Sequence, residues 1–118
     1  MTLVDVLVPG KPHPTIRSRR NGGQDYDPPE NQAAKSKIQW LIRWRGAPYA
    51  GRVAVVIECS YIRASPTADV DNLAKTVLDA LNRYVIKDDR QVYDLQVRKL
   101  PSMGVESTRI IVKEYTAI

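Results

Sequence analysis

The sequence VAVVIEC at residues 53–59 decides the fold of this chain. Apolar side chains occupy both of the faces that a β-strand presents, and this pattern is typical of a strand in the centre of a sheet. The run contains Cys59, the single cysteine of the chain. A free thiol in such a run acts as a small hydrophobic side chain, so we expect Cys59 to pack in the core.

Outward from this strand, the periodicity of the sequence predicts two helices and three more strands. Alternating apolar residues predict the strands, which are residues 3–8, 91–99 and 107–113. A turn around residues 101–104 joins the last two strands, most simply as a hairpin. Apolar residues at helical spacing predict helices over residues 30–45 and 70–84. We therefore expect residues 1–118 to form one α+β domain, in which two main helices cover one face of a mixed four-stranded sheet.

A long basic loop follows the first predicted strand. Residues 9–29 contain five of the eight prolines, three of the six glycines and four basic residues, and they show no apolar periodicity. Structureless connections of about twenty residues are uncommon in compact domains, and they tend to be functional or disordered. The loop therefore requires a functional explanation.

The cysteine content and the hydropathy pattern indicate a cytoplasmic protein. One cysteine cannot form an internal disulfide, which fits a reducing compartment. No segment has the form of a signal peptide or is long enough to span a bilayer, so we expect no membrane partner. With one cysteine and one histidine, the chain cannot build a tetrahedral zinc site from these ligands.

Charge is distributed unevenly along the chain. The formal net charge is +5, and residues 11–45 carry eight Lys or Arg side chains against three acidic ones. Residues 69–89 have the opposite balance, with five Asp against three Lys or Arg. Basic side chains bind phosphates, whereas clustered carboxylates bind divalent cations. The pattern indicates a divalent cation held against a polyanion such as nucleic acid.

The acidic cluster surrounds the start of the second predicted helix. Asp69 and Asp71 point the same way if the chain enters this helix in an extended conformation. A third carboxylate, from Asp89 or Asp88, enters from the turn before the next strand. Two or three carboxylates and a substrate phosphate are sufficient ligands for Mg²⁺, which keeps several waters. Lys75, one turn into the helix, could neutralise charge that develops on the phosphate.

The same residues also have ordinary structural interpretations. Asp71 could cap the helix, and Lys75 could pair with Asp79 four residues further on. Asp88 and Asp89 could lie in a solvated turn. A cap and a turn do not require so many carboxylates beside one lysine, and this favours the metal site.

Three segments resemble the signature of the RusA family of Holliday junction resolvases, which phages and prophages often carry. They are DVDNLAK at residues 69–75, DAL at residues 79–81 and DDRQV at residues 88–92. The first strand, the basic loop and the last two strands also fit this family, so the resemblance covers nearly the whole chain. It implies a homodimer that nicks opposing strands of a four-way DNA junction symmetrically, with Mg²⁺ as the cofactor and Mn²⁺ as a possible substitute.

The resemblance also implies roles for single residues. Asp69, Asp71 and Asp89 match the catalytic, metal-binding aspartates of the family, and Lys75 matches its essential lysine. Asp88 is the less favoured metal ligand of the adjacent pair. In the loop, the residues that the resemblance assigns to DNA contacts are Lys11, Arg17, Arg19, Arg20 and Tyr26.

Two alternatives belong to other functional classes. In the first, the chain is a non-catalytic module that binds nucleic acid through the basic loop, and its acidic cluster is structural. In the second, it is a metal-dependent hydrolase of nucleotides, which should accept mononucleotides and show no preference for branched DNA. Added magnesium separates the first alternative from an endonuclease, because only an enzyme should then produce nicks.

Overall fold

The computed structural model describes residues 1–17, 19–21, 24–63 and 66–117. Along the chain, its elements are β1 (Thr2–Pro9), β2 (Arg19–Asn21), β3 (Gln24–Tyr26), α1 (Pro29–Ile42), β4 (Val53–Tyr61), α2 (Val70–Leu81), a 3₁₀ turn (Asp89–Gln91), β5 (Val92–Pro101) and β6 (Ser107–Glu114). Within the described residues, neither helix combines the length and the apolar character of a membrane-spanning segment.

Four strands form a mixed sheet in the order β1-β6-β4-β5. β6 pairs antiparallel with β1 on one side and with β4 on the other. β4 and β5 are parallel neighbours, and α2 forms the connection between them. The predicted α+β fold, with two helices and a mixed four-stranded sheet, is therefore confirmed.

The predicted hairpin between the last two strands is wrong. β5 and β6 lie on opposite sides of β4 and do not pair with each other. The burial of their side chains explains this arrangement. Ile110 and Val112 of β6 are fully buried, which suits the interior of a sheet, whereas most residues of β5 are exposed, which suits an edge.

The basic loop and the ends of the helices also differ from the prediction. Residues 9–29 are not structureless, because β2 and β3 pair antiparallel within them. α1 ends at Ile42, where Arg43 adopts the left-handed conformation with φ of 53°. α2 ends at Leu81, and Arg83 adopts a similar conformation with φ of 63°. Both helices therefore stop about one turn earlier than their apolar patterns suggest.

The core lies between the sheet and the two helices. Alternate residues of β4 are buried from Val53 to Tyr61, and Cys59 is among them, as expected. α2 contributes Leu73, Val77 and Leu81 from one face. Because these side chains hold α2 on the sheet, its opposite face, which carries Asp71, Lys75 and Asp79, faces outward.

The other face of the sheet carries ion pairs. Arg109 of β6 donates to both carboxylate oxygens of Asp5 on β1, at 3.2 and 3.0 Å. Arg98 of β5 pairs with Glu58 of β4 at 2.6 Å. These charges follow one another with alternating sign across the four strands, so this face differs sharply from the apolar one.

Candidate active site

Asp69 and Asp71 stand at the beginning of α2. Asp69 is the residue that precedes the helix, with an extended backbone (φ −80°, ψ 143°), and its side chain makes no capping hydrogen bond to the described helix. Asp71 lies in the first turn, where its Oδ1 accepts from Asn72 N at 3.0 Å. Both residues are exposed. Their carboxylates therefore face solvent, close to the positive end of the helix dipole.

Lys75 forms an ion pair with Asp79 one turn further along α2. Its Nζ lies 3.3 Å from Oδ2 of Asp79, and the lysine side chain is 59% exposed. Exposed pairs at this spacing stabilise a helix by only about 0.3–0.5 kcal/mol. The ammonium group of Lys75 can therefore leave Asp79 for a phosphate at little energetic cost.

Asp88 and Asp89 have separate roles in the 3₁₀ turn before β5. Oδ1 of Asp88 accepts from the backbone N of Arg90 at 2.9 Å and from its Nε at 3.2 Å. These hydrogen bonds from Arg90 lower the pKa of Asp88. Asp88 therefore serves as the cap of the turn, which leaves Asp89 as the carboxylate available to a ligand.

The environment of Asp89 links it to α2. Burial, followed by the negative charges of Asp79 and Asp88, raises the pKa of this carboxyl, and Lys75 partly opposes the shift. Asp89 is thus close enough to Asp79 and Lys75 to interact with both. Crowded carboxylates of this kind are relieved by a cation or by a proton.

Gln91 fixes the turn that carries Asp89. Its Oε1 accepts from the backbone N of Lys87 at 2.7 Å and of Asp88 at 2.9 Å. Its Nε2 donates to the carbonyls of Tyr49 at 2.7 Å and Gly51 at 2.8 Å. The DDRQV segment is thereby explained in structural terms, because one glutamine ties the acidic turn to the loop before β4.

The structure pairs Lys75 with Asp79 and places Asp89 within electrostatic reach of both, but it does not assemble the three aspartates expected to bind metal. In the described parts of the chain, no group of three or more His, Cys, Asp or Glu side chains is placed to hold an ion. The donor chemistry of Asp69, Asp71 and Asp89 nevertheless fits Mg²⁺, since all their ligand atoms are carboxylate oxygens. The metal role of these residues stays a prediction.

The first part of the basic loop is attached to α2. Thr15 N donates to the carbonyl of Asn72 at 2.9 Å, and the hydroxyls of Thr15 and Thr76 are 2.8 Å apart. Thr76 is buried, so this contact is shielded from water. The loop therefore passes directly beside the outward face of α2 that carries Lys75.

Asn31 of α1 holds the same loop from the other side. Its Oδ1 accepts from Ile16 N at 2.9 Å and lies 2.8 Å from Nε2 of His13, which must carry the proton because an amide oxygen only accepts. Its Nδ2 donates to the Ile16 carbonyl at 2.8 Å and to Asp27 Oδ1 at 2.9 Å. Only 3% of Asn31 is exposed. One buried amide thus joins both ends of the loop.

The sequence analysis missed Asn31, although a signal was present. Asn31 lies on the inward stripe of its helix, seven residues before the buried Ile38. A polar residue on an apolar stripe must find hydrogen-bonding partners in the interior.

Asp27 and the cations around it line an open pocket beside α2. Lys35 Nζ lies 3.0 Å from Asp27 Oδ2, and hydrogen bonds from Asn31 and Lys35 lower the pKa of this carboxyl. The pocket has a volume of about 750 Å³, and Arg17, Lys35 and Lys75 bring three positive charges to its lining, with Asp27 and Asp79 as the acidic members. Such a lining suits a phosphate-bearing ligand.

The loop residues predicted to contact DNA lie in several places. Arg17 is exposed and lines the pocket beside α2, and Lys11 is exposed near the end of β1. Tyr26 ends β3 and is 42% exposed. Arg19 and Arg20 belong to β2, and their side chains lie outside the described part of the structure. The assignment of these residues to DNA contacts stays a prediction.

Both a curated protein and a protein-family model match this chain. The uncharacterized protein YqaN of Bacillus subtilis (strain 168) is 49% identical over 45 residues, which is 38% of this chain and 32% of that protein. The chain thus covers about a third of the length of this curated relative. The family model of endodeoxyribonuclease RusA matches residues 8–113, a range that includes both helices, most of the sheet and every residue of the candidate site. The chain therefore belongs to the RusA family of endodeoxyribonucleases.

Proposed function

We propose that this protein is a magnesium-dependent endonuclease that resolves four-way DNA junctions by paired, symmetric hydrolysis of phosphodiester bonds. The observation that carries the proposal is the pocket beside α2, whose lining combines three cations with Asp79, a carboxylate that interacts electrostatically with Asp89. Cations that could bind phosphate thus lie near carboxylates that could bind a hard cation, and this proximity supports phosphodiester hydrolysis. Family membership supports DNA as the polyanion.

The residues of the site would have separate roles in this reaction. Asp69, Asp71 and Asp89 would hold the metal, which when bound polarises the phosphate and lowers the pKa of a water molecule. Lys75 would leave its pair with Asp79 and neutralise charge on the phosphate in the transition state. Arg17 and Lys35 would bind neighbouring phosphates.

A homodimer is the assembly that suits this substrate. A two-fold symmetric dimer presents two equivalent sites, and a four-way junction offers two equivalent strands. We propose that each subunit cuts one strand, in the cytoplasm where the single buried thiol remains reduced.

The test is cleavage of a labelled synthetic four-way junction beside a linear duplex of the same sequence, with magnesium and with chelator. Wild-type protein should nick two opposing strands of the junction, only with the metal. Asp71→Asn should abolish cleavage and leave junction binding intact or tighter, because it removes a negative charge near phosphates. The matched control is Asp94→Asn, which removes an exposed carboxylate from β5 and should cleave normally.

One observation favours a second candidate, a binding module without catalysis. The described residues do not preassemble three metal ligands. A module of this kind would bind junctions tightly, with magnesium or without it, and produce no nicks. Asp71→Asn would then bind junctions slightly more tightly and would change no other measured property of the complex.

A further inference from the structure

A second pocket lies on the other side of the attached loop. It has a volume of about 480 Å³, within the range of ligand-binding pockets. The stretch 11–14 forms one wall, and the stretch 66–68 forms another. The residue after Ala68 is Asp69, whose Cα is about 3.8 Å from that of its neighbour. The pocket therefore adjoins the start of the acidic cluster.

The lining of this pocket is apolar in its body and charged at its edge. Pro12, Pro14 and Pro66 contribute flat, rigid surfaces, and Ile62 adds an exposed aliphatic side chain. The two cations of the lining, Lys11 and Arg63, are exposed. A ligand with a flat apolar body and an attached phosphate fits such a site.

Tyr61 supplies a polar group that lacks a partner. This side chain lines the pocket, is only 2% exposed, and its hydroxyl has no hydrogen-bond partner among the described residues. Burial, followed by the nearby groups of Cys59 and Glu106, raises the pKa of the hydroxyl to about 12. The group is therefore protonated at neutral pH. Buried hydroxyls without partners are rare, and each one requires an explanation.

Glu106 supplies a second polar group to the same pocket. It lines the pocket, and its Oε2 accepts from Ile62 N at 3.3 Å, which holds the carboxylate against the chain. A carboxylate accepts further hydrogen bonds but donates none. Tyr61 and Glu106 together thus offer one hydroxyl and one acceptor to a ligand.

The walls of the pocket are held in place before any ligand binds. Lys99 Nζ donates to the carbonyl of Ala68 at 2.9 Å and to that of Pro66 at 3.4 Å. Ser102 N donates to the Tyr61 carbonyl at 2.8 Å. A preformed pocket loses less conformational entropy on binding than one that must order itself.

We propose that this pocket receives one unstacked nucleobase of the DNA junction, from a nucleotide next to the phosphate that is cut. The proposal rests on the proposed function, and it adds a site that recognises the base sequence of the DNA. The flat apolar walls would contact the faces of the base, and Lys11 and Arg63 would bind its flanking phosphates. Because Glu106 only accepts, bases that carry an amino group should fit better than thymine, whose one ring N–H lies between two carbonyl oxygens that a carboxylate repels.

The first test measures base preference. Junctions that differ only in the nucleotide on either side of the cleaved phosphate are compared by single-turnover cleavage. Wild type should distinguish the bases, with thymine slowest at one position. Tyr61→Phe, which removes only the hydroxyl, should reduce that preference by about fivefold, the worth of one hydrogen bond. Glu106→Gln should change which base is cut fastest. Tyr93→Phe, which removes an exposed hydroxyl on β5, should match wild type.

A second test observes the base directly and does not require cleavage. The nucleotide is replaced by 2-aminopurine, whose emission rises when it leaves the base stack, and binding to the junction is followed in chelator. Emission should rise with wild type and not with Ile62→Trp, which fills the pocket. Equal cleavage at all four bases, together with equal emission in both proteins, would overturn the base pocket and leave the nuclease proposal intact.

If the protein is not a nuclease, the base pocket can still be tested separately. Protein that neither cleaves nor prefers junctions would be tested with a single-stranded oligonucleotide that carries 2-aminopurine. An emission rise with wild type and none with Ile62→Trp would still support the pocket. The absence of any rise would reject it.

Discussion

At the scale of single residues, Asn31 has the clearest structural role. Its side-chain amide uses both of its protons and its oxygen on the loop, although the partners are up to 18 residues away in sequence. The position of the loop beside α2 therefore depends on one buried side chain.

Replacement of Asn31 should loosen the loop and destabilise the fold. Asn31→Ala leaves the Ile16 backbone and the other partners of the amide unpaired, and we expect the free energy of unfolding to fall by about 2–3 kcal/mol. Urea unfolding measures this change. The control is Gln32→Ala, which removes one exposed hydrogen bond to the Asp27 carbonyl and should cost less than about 0.5 kcal/mol. Equal midpoints for the two variants would contradict the role of Asn31.

The buried thiol of Cys59 gives a pH-dependent prediction. Burial raises its pKa from 9.0 to about 11, and a hydrogen bond with Thr108 partly opposes the shift. The folded state therefore keeps a proton that the unfolded state loses, so the contribution of Cys59 to stability is complete below pH 9 and declines up to about pH 11. Urea midpoints should fall over this interval in wild type and less steeply in Cys59→Ala. A thiol reagent at pH 8 should modify Cys59 only after unfolding.

The residues that the sequence analysis singled out are those with a local signal. Asp71 and Lys75 belong to a short segment with recognisable spacing, and Cys59 lies in an apolar run. Asn31 and Tyr61 gain their importance from partners or surroundings that come from distant parts of the chain. Spacing within a segment carries no information about such contacts.

At the scale of elements, the short turn before β5 depends on Gln91. Gln91→Ala removes four hydrogen bonds, and the loss of buried partners should reduce stability by about 1–3 kcal/mol. Because Asp89 would lose its fixed position, single-turnover cleavage of a junction should slow by more than the change in binding. Gln96→Ala, an exposed glutamine on β5, serves as the control. If Gln91→Ala is destabilised but cleaves normally, the position of the turn does not determine the activity of the site.

The sequence predicted the four strands of the main sheet, but it missed β2 and β3 and part of the strand pairing. Six residues or fewer between two strands favour a hairpin, yet β4 separates β5 from β6. The deciding property is burial, because Ile110 and Val112 of β6 are fully buried whereas most residues of β5 are exposed. Because α2 joins the parallel strands β4 and β5, the element with the most candidate site residues is also the crossover of the sheet.

At the scale of the whole molecule, the charges divide between two faces. The pocket beside α2 has three cations against two carboxylates in its lining, whereas Arg98 and Arg109 on the outer face of the sheet are each matched by one carboxylate. We therefore expect DNA to bind on the side of the helices. The total charge of the sequence predicted a polyanionic partner, but the choice of face depends on the fold.

Salt dependence of DNA binding tests this division. Junction affinity should fall steeply as salt rises, because each neutralised phosphate releases counterions. Arg17→Ala should reduce the slope of log affinity against log salt by about one. Arg98→Ala removes the same charge from the outer face and should leave the slope unchanged. Equal slopes for wild type and Arg17→Ala would contradict the assignment of the pocket to DNA.

The position of β6 in the sheet has a consequence for synthesis of the protein in the cell. β6 is the last of the strands along the chain, yet it lies between β1 and β4. The ribosome releases β1 long before β6. β1 therefore has no neighbour in the sheet until residues 107–114 have emerged. The sheet can therefore close only after β6 has been synthesised. A shorter nascent chain would not hold the loop and α2 on a finished scaffold, so we expect the proposed nuclease activity to arise only once β6 is in place.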